Sequence, residues 1–400
     1  MTVATKFTPT AMLRHAAARV TAAIGLLWMA ACVPVGTVGV TQDTGQTIDA
    51  NAPVQVALLV PGGSTQGSNQ AIASSLENAA RMAISDLQGV TIDLRVYNSG
   101  SDSAQAAAVA TQAVNEGAKI ILGPLFADAA NAAGVAVAAR NVNVLAFSNN
   151  PTIAGGNVFV LGATFDNTAN RLVRYASRQG LNRIGIVHGD DLQGQVGRDA
   201  IARAVQANGA TLAGIASYPL SQQGITASAG QIAATVKSNG ADAVFLTAGV
   251  NADLPLLATA LPDAGINPTD TQYLGLTRWD AAPQALALPG LQGGLFAVPD
   301  RAMTSSFESR YASVYGGQPH ALAGLAYDGI AAVGALVAQG RSDALTKNAL
   351  TQQQGFMGTS GVFRLLPNGL NERALSVATV RDNAVVILEN APRSFGRAGS

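Results

Sequence analysis

Cysteine is all but absent: Cys32 is the single one in 400 residues. That excludes a disulfide framework and suits an exported chain with no thiol to protect. Histidine is nearly as scarce, with His15, His188 and His320 far apart in sequence. A metal site wants three or four convergent ligands. The cluster His188, Asp190, Asp191 offers at most the minimum, and the remaining histidines, His15 and His320, lie far off in sequence, so no metal is expected. There is no excess of either charge: the formal net charge is zero and no basic block occurs. Nucleic-acid binding, which needs a lysine- and arginine-rich face, is therefore disfavoured. The sequence also lacks a G-x-S-x-G elbow, an H-E-x-x-H helix and a second reactive thiol. No catalytic group and no cofactor are expected, and the protein reads as a non-enzyme. What it has instead is 48% hydrophobic residues against 12% charged. A large core is available, disorder is excluded for the bulk of the chain, and the length allows two or three domains.

The lone cysteine is informative by position. Lys6, Arg14 and Arg19 precede an apolar run, Val20–Ala31, that ends Met29-Ala30-Ala31-Cys32. A basic start, a short apolar stretch and small residues before a cleavage point make a secretory signal, and the run is too short to span a bilayer. Small residues immediately before a cysteine resemble a bacterial lipoprotein signal, which makes Cys32 the lipidation site. Residues 32–53 lack hydrophobic periodicity and read as a flexible tether of about twenty residues.

The body is organised around residues 119–150. Ile120–Leu122 is a short β-branched run that reads as a buried strand; Gly123-Pro124 breaks it. The Ala-rich run Asp128–Arg140 reads as a helix and Val142–Phe147 as the next strand. This is a βαβ unit, and in open parallel sheets ligands sit beyond the carboxyl ends of the strands. The same alternation surrounds it. Strands are expected at Val54–Val60 and Thr91–Tyr97, with helices at Ala71–Leu87 and Ala104–Glu116. After Phe165–Gln179, expected as a helix, the pattern restarts. Strands follow at Arg183–His188, Thr211–Tyr218, Ala243–Thr247 and Gln272–Gly275, with helices at Arg198–Asn208, Ser228–Lys237 and Asp253–Ala264. Later come helices Ala321–Ala338 and Asp343–Gln352, a hairpin turn at Pro367–Gly369, and strands Ala374–Val380 and Ala384–Glu389. The fold class is α/β: two doubly wound, Rossmann-like lobes with a cleft between them. The Gly-rich turn after Val60 lacks both phosphate-loop spacings, so it reads as a backbone N–H pocket at a helix start and not as a nucleotide site.

Two tandem α/β lobes, with the chain returning to the first near its end, resemble the type I periplasmic-binding fold. Val56–Pro61, Ile121–Leu125, Val144–Asn150, Ile184–Asp190 and Tyr327-Asp328 carry that resemblance, which spans about Val54 to Asn390. It implies residues 1–31 as signal peptide, 32–53 as tether, 54–163 plus 297–370 as the first lobe, 164–296 plus 371–392 as the second, and 393–400 as a tail. Two branches of the superfamily compete. One is the leucine-binding-protein-like solute receptors of ABC importers. The other is the penicillin-binding protein activators, lipoproteins that regulate peptidoglycan synthesis.

The sequence departs from the amino-acid receptors at their contacts. Phe126-Ala127-Asp128-Ala129 stands where hydroxyls capture the ligand. The Gly189–Gly194 loop has no closing aromatic, and Ala252 aligns with the ammonium-holding acid, leaving Asp253 beside it. Gly358–Arg364, Pro367–Gly369 and Arg373 resemble the closing hairpin of the activators. The main expectation is therefore an activator on the periplasmic face of the outer membrane, the inner membrane being the other candidate. Its partner would be a bifunctional penicillin-binding protein, a peptidoglycan synthase. The alternative is a substrate-binding protein for an amino acid or other small polar solute, docking on an ABC permease. Candidate cleft residues are Ser64, Phe126, Ala127, Ser148, Asn149, Gln193, Asp253, Arg278 and Trp279. For Arg278-Trp279-Asp280 two readings stand side by side: an arginine fork with a flat apolar face in the cleft, or a surface loop with Trp279 in the core and Arg278 paired with Asp280. Asp328, an acid in an apolar helix, is expected to cap a neighbouring loop.

Overall fold

The computed structural model describes residue 1, residues 43–63 and residues 67–395. The signal, Cys32 and Ser64 lie outside the described residues.

Five strands form the first sheet: β1 (Val54–Val60), β2 (Ile92–Asn98), β3 (Ile120–Leu122), β4 (Asn143–Ala146) and β5 (Val158–Val160). They are all parallel, in the order β2-β1-β3-β4-β5. Every residue of β1 is buried because both faces are covered. Val56, Leu58 and Val60 face one side, toward α1 (Gly67–Asp86) and α9 (Ala323–Val337), while Ala57 and Leu59 face α2 (Ser103–Asn115) and α3 (Ala127–Ala138). The period-2 alternation of the strand thus becomes two separate cores. Alanines on α2 and α3 let those helices lie close to the sheet.

The second lobe repeats the plan with β6 (Arg183–Gly189), β7 (Thr211–Tyr218), β8 (Ala243–Leu246), β9 (Gln272–Gly275) and β10 (Leu295–Val298) in parallel. Its sheet continues through two antiparallel strands, β14 (Ser376–Arg381) and β15 (Ala384–Glu389), giving the order β15-β14-β10-β9-β8-β6-β7. Helices α4 (Phe165–Arg178) and α5 (Leu192–Ala207) cover one face. The other is covered by α6 (Gln222–Ser238) and α7 (Leu254–Asp263). Between β10 and β14 the chain revisits the first lobe through α8 (Arg301–Tyr315), α9, the one-turn α10 (Lys347–Leu350) and a small antiparallel sheet. That sheet comprises β11 (Phe356–Gly358), β12 (Gly361–Leu365) and β13 (Asn371–Arg373). The chain therefore crosses between lobes three times: after β5, after β10 and after β13.

Several expectations need correction. The helix expected from Arg198 begins earlier, taking up part of the Gly189–Gly194 loop, since α5 already starts at Leu192, capped by Asp191 Oδ1 accepting from Gly194 N at 2.8 Å. Gly194 and Gly197 look like loop residues but mark close approaches to Gly189 and Leu276. Helix α6 starts six residues before the expected Ser228, because Ser221 caps it through Gly224 N. The helix expected over 343–352 shrinks to Lys347–Leu350. The strand expected over 374–380 begins at Ser376, after the crossing. Pro124 belongs to the loop before α3, in a cis Gly123–Pro124 bond.

Of the tether expected over residues 32–53, residues 32–42 lie outside the described residues, and residues 43–48 are not a free tether. Ile48 is buried in the first core, Ile48 N donates to Ser342 O at 2.9 Å, and Asn143 Nδ2 holds Thr44 O at 3.1 Å. Residues 43–48 are thus part of the first lobe. At the other end Phe395, expected in a loose tail, packs on Val362, Ala374 and Ala391.

Candidate functional site

A cleft of about 500 Å³ opens between the lobes, within the size range of small-molecule sites. The first lobe contributes Leu125, from the loop after β3, and Phe147, Ser148 and Asn149, from the end of β4. The second contributes Arg278, three residues beyond the end of β9. Helices α8 and α9 and the loop between them close the side with Phe307, Glu308, His320 and Leu325.

Three groups can address a polar ligand from opposite lobes. Ser148 is buried, and its Oγ accepts from Asn150 N at 3.1 Å, which leaves the hydroxyl proton to be donated into the cleft. Asn149 is exposed beside it. Arg278 is forked onto Asp280, Nε to Oδ1 at 3.1 Å and Nη2 to Oδ2 at 2.8 Å. Two of its five donors are used there, so three remain for an anionic group. The Asp280 side chain is only 9% exposed while that of Arg278 is 52% exposed, so the acid holds the guanidinium from below. On the wall, His320 Nδ1 accepts from Leu322 N at 3.2 Å, which leaves Nε2 as the ring donor. Glu308 is exposed and has no ion-pair partner among the described residues.

The other candidates do not line this cleft. Phe126 and Ala127 are the N-cap and first residue of α3, half-buried beside Leu125. Gln193 sits exposed in the first turn of α5. Asp253 is buried and committed: Oδ1 accepts from Gly249 N at 2.7 Å and Oδ2 accepts from the Tyr218 hydroxyl. Burial, and then that carboxylate, push the Tyr218 hydroxyl far above its ordinary value, so it stays a donor. Trp279 is fully buried, stacked on Phe296 with ring centroids 5.5 Å apart. Its slot exists because Gly275 and Gly294 carry no side chain; a Cβ on either would come within 2.7 Å of the indole. The structure combines the two readings of the Arg278–Asp280 triplet: Trp279 is in the core and Arg278 pairs with Asp280, while Arg278 still lines the cleft. His188 is buried with Nδ1 2.7 Å from Gly189 O, and among the described residues no group of three His, Cys, Asp or Glu could hold a metal.

The sequence reading missed the hinge chemistry. Asp328 and Arg373, both almost fully buried, pair at 2.9 Å. Asp328 Oδ1 also accepts from Thr359 N at 2.7 Å, the loop cap expected of it. Arg373 Nε and Nη2 both donate to Leu161 O, at 3.1 and 2.6 Å, and its guanidinium lies 5.0 Å over the Phe363 ring. Leu161 lies on the first crossing and Arg373 begins the third. The second is tied to the same hairpin by Asp300 N donating to Ser360 O at 3.0 Å. One buried pair thus gathers the three passes into a joint at the back of the cleft. The signal was Asp328 itself; its partner, 45 residues away, had no local mark.

Known proteins share this design. A solved structure from Rhodospirillum rubrum, assigned to a branched-chain amino acid ABC transporter, superposes with a TM-score of 0.69 at 17% identity. It covers 84% of this chain and 100% of its own. An ABC transporter substrate-binding protein from Desulfitobacterium hafniense, solved in complex with Leu, gives 0.58 at 18% identity over 84% of this chain and 100% of its own. At these identities the likeness is one of fold. An uncharacterized protein of Rickettsia prowazekii (strain Madrid E) is 26% identical over 122 residues, which are 30% of this chain. The match spans about a third (32%) of that relative's length. Residues 53–384 match the periplasmic binding protein family, and the chain belongs to that family.

Proposed function

We propose that the protein is the solute receptor of an ABC importer, closing its lobes on a small polar, carboxylate-bearing solute and docking on the permease. The observation that carries this reading is the cleft itself. Ser148 and Asn149 of one lobe face Arg278 of the other across a three-pass joint, the arrangement by which hinge proteins bury a ligand. Arg278, pre-set by Asp280, supplies an anion fork, and Ser148 and Asn149 supply neutral donors. The ligand is not held as leucine is expected to be held in the amino-acid receptors. The loop after β3 offers no hydroxyl, and Asp253 already has two protein partners. Leucine, isoleucine and valine should therefore bind weakly or not at all.

The test is thermal unfolding against a panel of amino acids and organic acids, followed by titration calorimetry of the best compound. At a hundredfold excess over its dissociation constant, a true ligand raises stability by roughly 2.7 kcal/mol. Arg278→Gln should weaken that compound at least tenfold, about 1.4 kcal/mol. Tight binding of leucine, or full affinity retained in Arg278→Gln, would falsify the proposed recognition. The same proposal includes a lipid anchor at Cys32, placing the receptor on a membrane's periplasmic face.

A further inference from the structure

A second cavity, about 810 Å³, lies on the far side of the third crossing. Arg373 and Leu375 line both it and the cleft, so the crossing strand is the wall between them. Its walls come from both lobes: α4 and α5 with Asp166, Arg171, Arg174 and Arg203 on one side, the β12–β13 hairpin with Arg364 and Glu372 on the other.

The charge here is unbalanced. Arg203 is forked onto Asp166 at 3.0 and 3.1 Å. Arg364 donates twice to a single oxygen of Glu372, at 2.8 and 2.5 Å, and stacks 4.7 Å over Phe395. Arg171 shares one carboxylate, Glu389, with Arg178. Arg373 is matched by Asp328. Arg174 has no carboxylate among the described residues; its Nε reaches only Asn208 Oδ1, at 3.4 Å. Five guanidiniums line the cavity and four carboxylates pair with them, Glu389 being shared with Arg178 outside the lining, so the balance is positive and Arg174 is left unmatched. Arg203 and Arg364 are each fixed by their acid partner and keep donors unused, the pre-organised forks that recognise planar or tetrahedral oxyanions. Asn170 and Asn368 add neutral polar groups to the lining.

We propose that this rear cavity is a binding site for a small divalent oxyanion, a dicarboxylate or a phosphate monoester, held between the lobes behind the hinge. Arg174 supplies the unmatched charge. Arg203 and Arg364 orient the anion from either wall. This site is separate from the cleft and does not depend on what the cleft binds.

The experiment titrates the full chain with succinate and, separately, with inorganic phosphate, at ionic strength held constant with sodium chloride, reading melting temperature and calorimetric heat. One of the two anions should saturate where chloride does not, and which one does so identifies the dicarboxylate or the phosphate source. Arg174→Gln and Arg174→Glu change an exposed side chain, and each variant's own melting temperature checks its fold. Both should weaken binding by about tenfold or more. Arg278→Gln, across the hinge, should leave the anion titration unaltered, which separates this site from the cleft. Saturation by neither anion overturns the proposal. So does binding indifferent to both Arg174 variants, or binding abolished by Arg278→Gln.

Discussion

At the scale of single residues, the hinge pair and the buried tryptophan decide the most. Asp328 is 1% exposed and Arg373 6%, so neither can turn to water if the other is lost. Asp328→Asn keeps an acceptor for Thr359 N but leaves a buried guanidinium without its counterion. Removing one member of a buried pair costs about 3–5 kcal/mol, and urea unfolding of this variant should show a loss of that order. Gly275→Ala pushes a methyl into the indole of Trp279 in a packed core. Overpacking of this kind costs about 1–3 kcal/mol, seen as a lower urea midpoint with an unchanged slope. Unchanged midpoints would mean that the slot relaxes freely. The sequence shows the local half of these arrangements. Arg278 and Asp280 are two residues apart, so their pairing can be foreseen. The Trp279 slot cannot, because Gly294 comes from the start of another strand. Asp253 misled for a similar reason: its partner Tyr218 ends a different strand, and nothing near Asp253 marks it as taken.

Among the elements, strands were legible to within a residue or two wherever they were buried on both faces, as with Val54–Val60 and Ile120–Leu122. Helix starts were less so. Glycines near a helix N-terminus read as loop, yet at α5 they allow contact with the sheet below. One link between elements responds to acid. Glu389 on the edge strand β15 is bonded by Arg178 and Arg171 of α4. Burial works against its charge, but the two guanidiniums together outweigh burial and hold its carboxyl below the usual range. A carboxylate with a depressed folded-state pKa gives stability that is complete above the unfolded value, about 4.3, and is lost as pH falls through the folded one. Melting temperature followed from neutral to acid should therefore fall less steeply in Glu389→Gln than in the parent, with the gap between them widest near neutrality. Parallel curves would show that the pair is worth nothing.

Over the whole molecule, two lobes were readable because the strand–helix alternation breaks and restarts near residue 164. The cleft was only partly readable. Ser148, Asn149 and Arg278 follow strands and could be placed at the opening, whereas Phe307, Glu308 and His320 reach it only because the chain returns to the first lobe through α8 and α9. For the full chain in cells, Cys32→Ala should shift the protein from membrane to soluble fraction, since stable attachment needs more than one acyl chain. Retention of the variant on membranes would remove the anchor from the proposal.

The three crossings bear also on how the protein is made. The first sheet is complete by Val160, but α9, which covers one of its faces, ends only at Val337. The second sheet waits for β15, which ends at Glu389. A chain threaded amino-terminus first through an export channel therefore emerges with the apolar side of Val56, Leu58 and Leu122 covered by α1 alone until α9 arrives. Neither lobe can be cut out as a continuous fragment. Truncation ahead of Ala384 should yield insoluble protein, and a reporter fused after Glu389 would register the completion of both lobes at once.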